Sequence, residues 1–474
     1  MSGDAGRVRA AAAPDAAAAG PRGYTLQDLA EPPNALAPHY SRFRVAERLL
    51  LTGHSHQAWP DRAFEGQQQA WLDAAHYADD KWGPAFAKAD RVRRGFARLM
   101  DDPDGVVALG HSTHDLVVKL LSALPLRERP RIVTTDGEFH SARRQLDRLA
   151  EEGIELVKVS CSPAAAVADR LAKAVDDRTA IVVVSCVLFG NAHLVPGLGR
   201  VMERCETVGA ELLVDAYHAL NVLDWSVRRE GLERAFVTGG GYKYCQLGEG
   251  NSFLRIPPGR ELRPVITGWF SEFGMLTRRS PFTGAQGTPG SPAGDSASRS
   301  GEAGRSGLGA AVLGARGGGT AEGSIPARVG YGAAADAFAS ATYDPTSHYR
   351  AAAVFDFFEE QALVPAFLRA VSQHQVGLMA RCFDELDLDP GTVSRDRSVP
   401  LEGLGGFLAL KAPRAGELRR ALRAQDVWVD HRAETLRLGP APFLSDRQIE
   451  DAVAILGGVA RARPGPGGRS SAEK

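Results

Sequence analysis

The chain has 474 residues, 44% apolar and 24% charged, which is the profile of a globular enzyme long enough for roughly two to three domains. Lys+Arg (56) and Asp+Glu (57) balance to a net charge of −1, which excludes the basic footprint of a nucleic-acid or polybasic membrane binder. No run reaches the roughly 20 apolar residues of a membrane span. Five widely spaced cysteines (Cys161, Cys186, Cys205, Cys245, Cys382) without a CxxC argue against a disulfide framework or a structural zinc, and fit a reducing cytoplasm.

Residues 1–23 are Ala, Gly, Pro and Arg, with almost nothing to bury, and are expected to be disordered, with no secretion signal. A large domain is expected over 24–348. Within it apolar runs suited to buried parallel strands fall at Arg131–Thr135, Glu155–Val159, Ala180–Cys186, Glu211–Asp215 and Ala235–Thr238. Helical periods separate them: Thr113–Leu124, with Ser112 or Thr113 as N-cap, then Ser141–Glu152, Pro163–Val175 and Gly199–Val208. This alternation predicts an α/β fold with a mostly parallel central sheet, whose ligands bind at the carboxyl ends of its strands. A stretch at about 281–330 holds 14 glycines in 50 residues and is expected to be a disordered insertion. From Tyr349 the chain turns helical and then gives short α/β elements, predicting a smaller C-terminal domain over 349–461; the tail 462–474 is again expected to be disordered.

The sharpest constellation is VDAYHALN (Val214–Asn221) followed by GGGYKY (Gly239–Tyr244). Asp215 ends a buried strand, and Lys243 follows three glycines after the next strand, where the glycines let backbone and ligand approach closely. A carboxylate and a lysine at neighbouring strand ends suit pyridoxal phosphate (PLP): the lysine forms the Schiff base and the carboxylate pairs with the protonated pyridine nitrogen. Ser112 and Thr113, opening a helix, suit a phosphate.

DxxH followed by a Gly-rich segment and a YKY-type lysine resembles the class V aminotransferases, and among them the kynureninase family. The resemblance runs from about Leu50 to Leu456 and implies the fold-type-I, aspartate aminotransferase-like architecture of PLP-dependent transferases. It implies His218 and Tyr242 beside Lys243, and Trp269, in Gly268–Phe270, near cofactor and substrate. VDHRAETLRLGPAPF matches the late family signature, making Arg437 the arginine that grips the substrate α-carboxylate, with Asp430 and Arg432 upstream. Phe139, with His140 as competitor, takes the ring-stacking position. Thr342 in SATYDPTS resembles the element that reaches the phosphate of the partner subunit's cofactor, implying a homodimer.

One segment departs. Where the family writes Asn-Ser-Leu at the aryl side of the substrate pocket, this chain has His54, Ser55 and His56. Two imidazoles alter the substrate rim; without a third clustered ligand no metal site is expected. The expected function is a PLP-dependent, kynureninase-like hydrolytic cleavage of a Cβ–Cγ bond in an amino acid, with kynurenine itself a poor substrate. The alternatives are a class V aminotransferase or lyase, then a cysteine desulfurase or a non-catalytic binding protein. The desulfurase is disfavoured because the long loop carries no Cys.

Overall fold

Strands fall into three sheets in the computed structural model, which describes residues 23–272 and 329–462. The expectations of disorder for 1–22, nearly all of 281–330, and 463–474 therefore lie outside the described residues. β1 (Leu49–Leu50) belongs to the smallest sheet. The central sheet holds β2 (Val106–Gly110), β3 (Arg131–Thr135), β4 (Glu155–Val159), β5 (Thr179–Ser185), β6 (Glu211–Asp215), β7 (Phe236–Gly240) and β8 (Ser252–Ile256). Their order is β2-β8-β7-β6-β5-β3-β4. Every pairing is parallel except those of β8, which runs against both β7 and β2.

The five predicted strands are present to within two residues. β5 is buried at all seven positions, as a strand covered on both faces must be. Its alternate side chains enter two different cores. Ile181 and Val183 pack with Leu116, Leu120 and Leu213 under the helix Thr113–Ser122, while Val182 and Val184 join the larger core on the other face. β2 and β8 were not predicted. β8 is masked by Arg255, a fully buried guanidinium whose Nε donates to Asp102 Oδ2 at 2.9 Å and whose Nη1 donates to the Glu233 and Ala235 carbonyls. A charge in mid-strand breaks the apolar run that sequence reading depends on.

The C-terminal region contains the helices Thr346–Glu360 and Pro365–Glu385, then β9 (Ser394–Arg395), β10 (Leu408–Lys411), β11 (Val427–Trp428), β12 (Asp430–Arg432) and β13 (Thr435–Leu438). Four of these form an antiparallel sheet in the order β12-β13-β10-β9. The fifth, β11, pairs in parallel with β1, Leu49 opposite Val427. Gly53 N–H donates to the Gly439 carbonyl at 2.8 Å, Asn34 Nδ2 to that of Pro442, and Gln448 Nε2 to that of Val45. Residues 34–53, expected in the large domain, are thus hydrogen-bonded to the C-terminal elements. Among the described residues no helix is long and apolar enough to cross a membrane.

Candidate active site

β6 ends at Asp215 and β7 at Gly240, side by side and parallel, so Asp215 and the loop carrying Lys243 leave the sheet at the same edge. The helix Thr113–Ser122 starts at that edge too. Its N-cap is Ser112, whose Oγ accepts from Asp115 N–H at 3.1 Å, while Thr113 Oγ1 donates to the Gly239 carbonyl at 3.2 Å. A cavity of about 250 Å³ lies between these ends, lined by Ser112, Thr113, Phe139, Asp215, Tyr217 and Tyr242.

Lys243 is buried behind two residues that line this cavity, Tyr217 and Phe139. Its Nζ lies 2.8 Å from His218 Nε2, 4.3 Å from the Tyr217 ring centre and 5.2 Å from that of Phe139. Burial pushes the ammonium down to about 7; Asp215 opposes the shift, and Arg437 and Arg432 reinforce it. His218 is driven well below the usual imidazole range by burial, then by the charge of Lys243, and its Nδ1 is buried with no hydrogen-bond partner among the described residues. Burial raises Asp215, against the Tyr217 N–H donated to its Oδ1 at 2.8 Å and the nearby Lys243. Tyr242 is raised by burial as well, so its phenol keeps its proton.

Phe139 lines the cavity and His140 does not; both rings pack edge-on against Phe189. Glu138, just before them, was missed as a site residue. It is buried at the cavity wall, where Ser185 Oγ donates to Oε2 at 2.6 Å and Thr135 Oγ1 to Oε1 at 2.7 Å. Burial lifts its carboxyl to about 7, with the charge of Asp215 adding to the effect. Tyr217 was missed too. The expectation that the glycines admit a ligand needs correction, because the space they leave is filled by protein. A Cβ at Gly240 would strike the Tyr217 ring, one at Gly239 Phe253, and one at Gly241 Leu247.

Arg437 sits on β13 opposite Asp430 on β12. Its Nη2 donates to Asp430 Oδ2 and its Nη1 to the Phe189 carbonyl at 2.7 Å, while Nε is buried without a partner among the described residues. Burial works to raise Asp430, yet His54 and Arg437 together hold its carboxyl well below the usual range. Of the altered rim, His54 does not meet a cavity. It is fully buried, stacked on Phe407 with ring centres 4.7 Å apart, its Nε2 3.7 Å from Asp430 Oδ2 and its Nδ1 against Gly439. Burial pushes its imidazole down to about 4. His54 thus stands against Asp430 and Phe407 and does not line the cavity of Asp215. His56 is exposed and stacks on Tyr242, ring centres 5.0 Å apart; Ser55 Oγ donates to the Thr52 carbonyl.

Trp269 and Thr342 do not line this cavity. Trp269 is 47% exposed and packs edge-on against Phe270, and Thr342 is exposed. Phe270, Ser340 and Tyr343 line an adjoining cavity of about 330 Å³ that shares His111 with the first.

No protein-family profile and no curated protein matches the chain. Solved structures do match in shape. The cystine C–S lyase C-DES, as a lysine-to-alanine mutant with glycine covalently linked to the PLP cofactor, superposes with a TM-score of 0.69 at 14% identity, covering 89% of this chain and 98% of that one. The same lyase with its reaction product cysteine persulfide gives 0.66 at 15% identity, over 87% and 98%. The apo cysteine desulfurase of Thermococcus onnurineus NA1 gives 0.66 at 14%, over 90% and 98%. The fold is that of the fold-type-I PLP-dependent enzymes. Identities this low carry the architecture and not the reaction.

Proposed function

We propose that this chain is a PLP-dependent enzyme acting on an α-amino acid, with a kynureninase-like hydrolytic cleavage of the Cβ–Cγ bond and an altered substrate pocket. One observation carries the reading. A buried lysine held near neutrality, Lys243, packs its Nζ over the ring of Tyr217, which together with the strand-end carboxylate Asp215 and a helix N-terminus lines one cavity.

The donor set fits pyridoxal phosphate. Ser112, Thr113 and the free N–H groups of a ten-residue helix suit the phosphate. Phe139 offers a flat apolar ring, and Asp215 an acceptor for a pyridinium proton. The orphaned His218 Nδ1 supplies one more polar group. Bound there, the cofactor would supply an electron sink for the substrate carbanion. The chain's own residues would do the rest. Lys243, whose ammonium burial pushes down to about 7, would be a competent nucleophile toward an aldehyde and afterwards a base at the substrate Cα. His218, neutral beside it, holds the amine in place. Tyr242 keeps its proton and can donate it. Arg437 binds the α-carboxylate as a two-pronged donor.

Trp269 and Thr342 are proposed to act across a homodimer interface, as exposed residues beside the second cavity. The cysteines weigh against a desulfurase that carries sulfur on its own thiol. Burial raises all five, Cys161 to about 11, and none lines the PLP-sized cavity. A lyase or aminotransferase of the same fold is the second reading.

The deciding experiment is a product assay over an amino-acid panel including kynurenine and 3-hydroxykynurenine. Hydrolytic cleavage leaves alanine, transamination a keto acid, and C–S lysis a persulfide or sulfide. We expect alanine, with kynurenine turned over poorly; a keto acid or a persulfide in its place would select the second reading.

A further inference from the structure

A larger cavity, about 490 Å³, opens beside the first, between residues 43–59 and the segment carrying β11 and β12. The two share Glu249, and the His56 ring on the floor of the larger one stacks on Tyr242, the residue before Lys243. Asp430, which holds Arg437, forms part of its wall. The cavity therefore continues from the place where an amino acid's α-carboxylate would be gripped.

Its charges do not cancel. Arg48, Arg419 and Arg432 line it against Glu249 and Asp430. Asp430 is already shared by Arg437, Arg432 and His54, and Glu249 faces His56 at 3.8 Å. Arg48 lies 4.3 Å over the Trp428 ring and donates to the Phe43 carbonyl, and Arg423 covers the same indole. Arg419 makes no hydrogen bond or ion pair among the described residues. Arg419, exposed on the helix Ala415–Arg423 at the rim of the cavity, is the lining guanidinium with neither hydrogen bond nor ion pair among the described residues, so its fork is free to bind an anion.

We propose that this cavity receives a second acidic group on the substrate, so that the amino acid accepted is dicarboxylic, its distal carboxylate bound by Arg419 with support from Arg48 and Arg432. The proposal rests on the reading of the first cavity as an amino-acid site and adds the substrate class to it.

The test is calorimetric binding of L-2-aminoadipate and of L-norleucine, of similar length without the second carboxylate, to the purified holoprotein. Aminoadipate should bind more tightly, by roughly tenfold or more, the scale of one hydrogen-bonded charge. Arg419→Ala should remove that advantage, Arg419→Lys should restore part of it, and norleucine should be unaffected by either. Equal binding of the two ligands, no binding of either, or an equal loss of both in Arg419→Ala would overturn the proposal. Borohydride labelling of Lys243 is scored separately. Missing label with intact discrimination would fail the cofactor reading alone, while label with no discrimination would fail the dicarboxylate alone.

Discussion

Lys243 Nζ and His218 Nε2 lie 2.8 Å apart in a region sealed from water, and burial depresses the protonated form of both. At most one extra proton fits between them, and it belongs to the lysine. With its ammonium at about 7, the amine loses its proton, and gains nucleophilicity, as pH rises through neutrality. The rate at which added pyridoxal phosphate becomes fixed to the protein should therefore climb between about pH 6 and 8 and then level off. Lys243→Ala should give no borohydride-stable adduct. An adduct in that variant, or a rate flat across this range, would refute the assignment.

Asp215→Ala should leave the adduct in place and lower kcat by about 10²-fold or more, the scale of removing a preorganised electrostatic partner. Steady-state kinetics on the best substrate, with cofactor content measured beside it, check this. Turnover near the wild-type value would show that the carboxylate has no electronic role.

Glu138 gives a stability prediction. Its folded pKa, about 7, lies above the ordinary 4.5, so the folded apoprotein binds more protons than the unfolded chain between these values. The contribution is therefore favourable below about pH 4.5 and is lost as pH rises to about 7. In Glu138→Gln this loss should vanish, so the difference in Tm between variant and wild type should shift in the variant's favour across that window. The amide also turns an N–H₂ toward the hydroxyl and N–H donors of Thr135 and Ser185, costing about 1–3 kcal/mol at all pH values. A Tm difference independent of pH would contradict the shifted carboxyl.

The Asp430–Arg437 pair predicts a trade. An incoming α-carboxylate must share or displace Asp430 to engage the guanidinium. Asp430→Asn should thus lower KM for amino acids while destabilising the ligand-free protein, because a buried cation loses its counter-charge, a penalty of about 3–5 kcal/mol when one partner of a buried pair is removed. Added substrate should restore much of the lost Tm. If KM rises with no change in ligand-free Tm, Asp430 acts on the substrate directly.

The central strands, and the placement of Asp215 and Lys243 after neighbouring strand ends, were legible because buried parallel strands are written as continuous apolar runs. β8 was not, because Arg255 sits in its middle and is satisfied by Asp102, a partner far away in sequence. His54 was read as a pocket residue because it stands where the resembled family writes its aryl-side Asn-Ser-Leu; nothing local reveals that Phe407 and Gly439 enclose it. Glu138 stood beside a recognised position, but its burial depends on hydroxyls from β3 and β5. Trp269 and Thr342 read as site residues by resemblance, a property that a single chain need not display.

The parallel pairing of β1 with β11, continued by Gly53 on Gly439, also sets an order of assembly. Chains emerge from the ribosome N-terminus first. Leu49–Gly53 is made early but has no partner until residues 427–439 have been synthesised, after the whole central sheet and the loop bearing Lys243. The wall that encloses His54 and orders Asp430 is therefore among the last parts to close. A nascent chain halted before β11 would contain the strands of the central sheet and Lys243 without Arg437, the guanidinium proposed to bind the α-carboxylate.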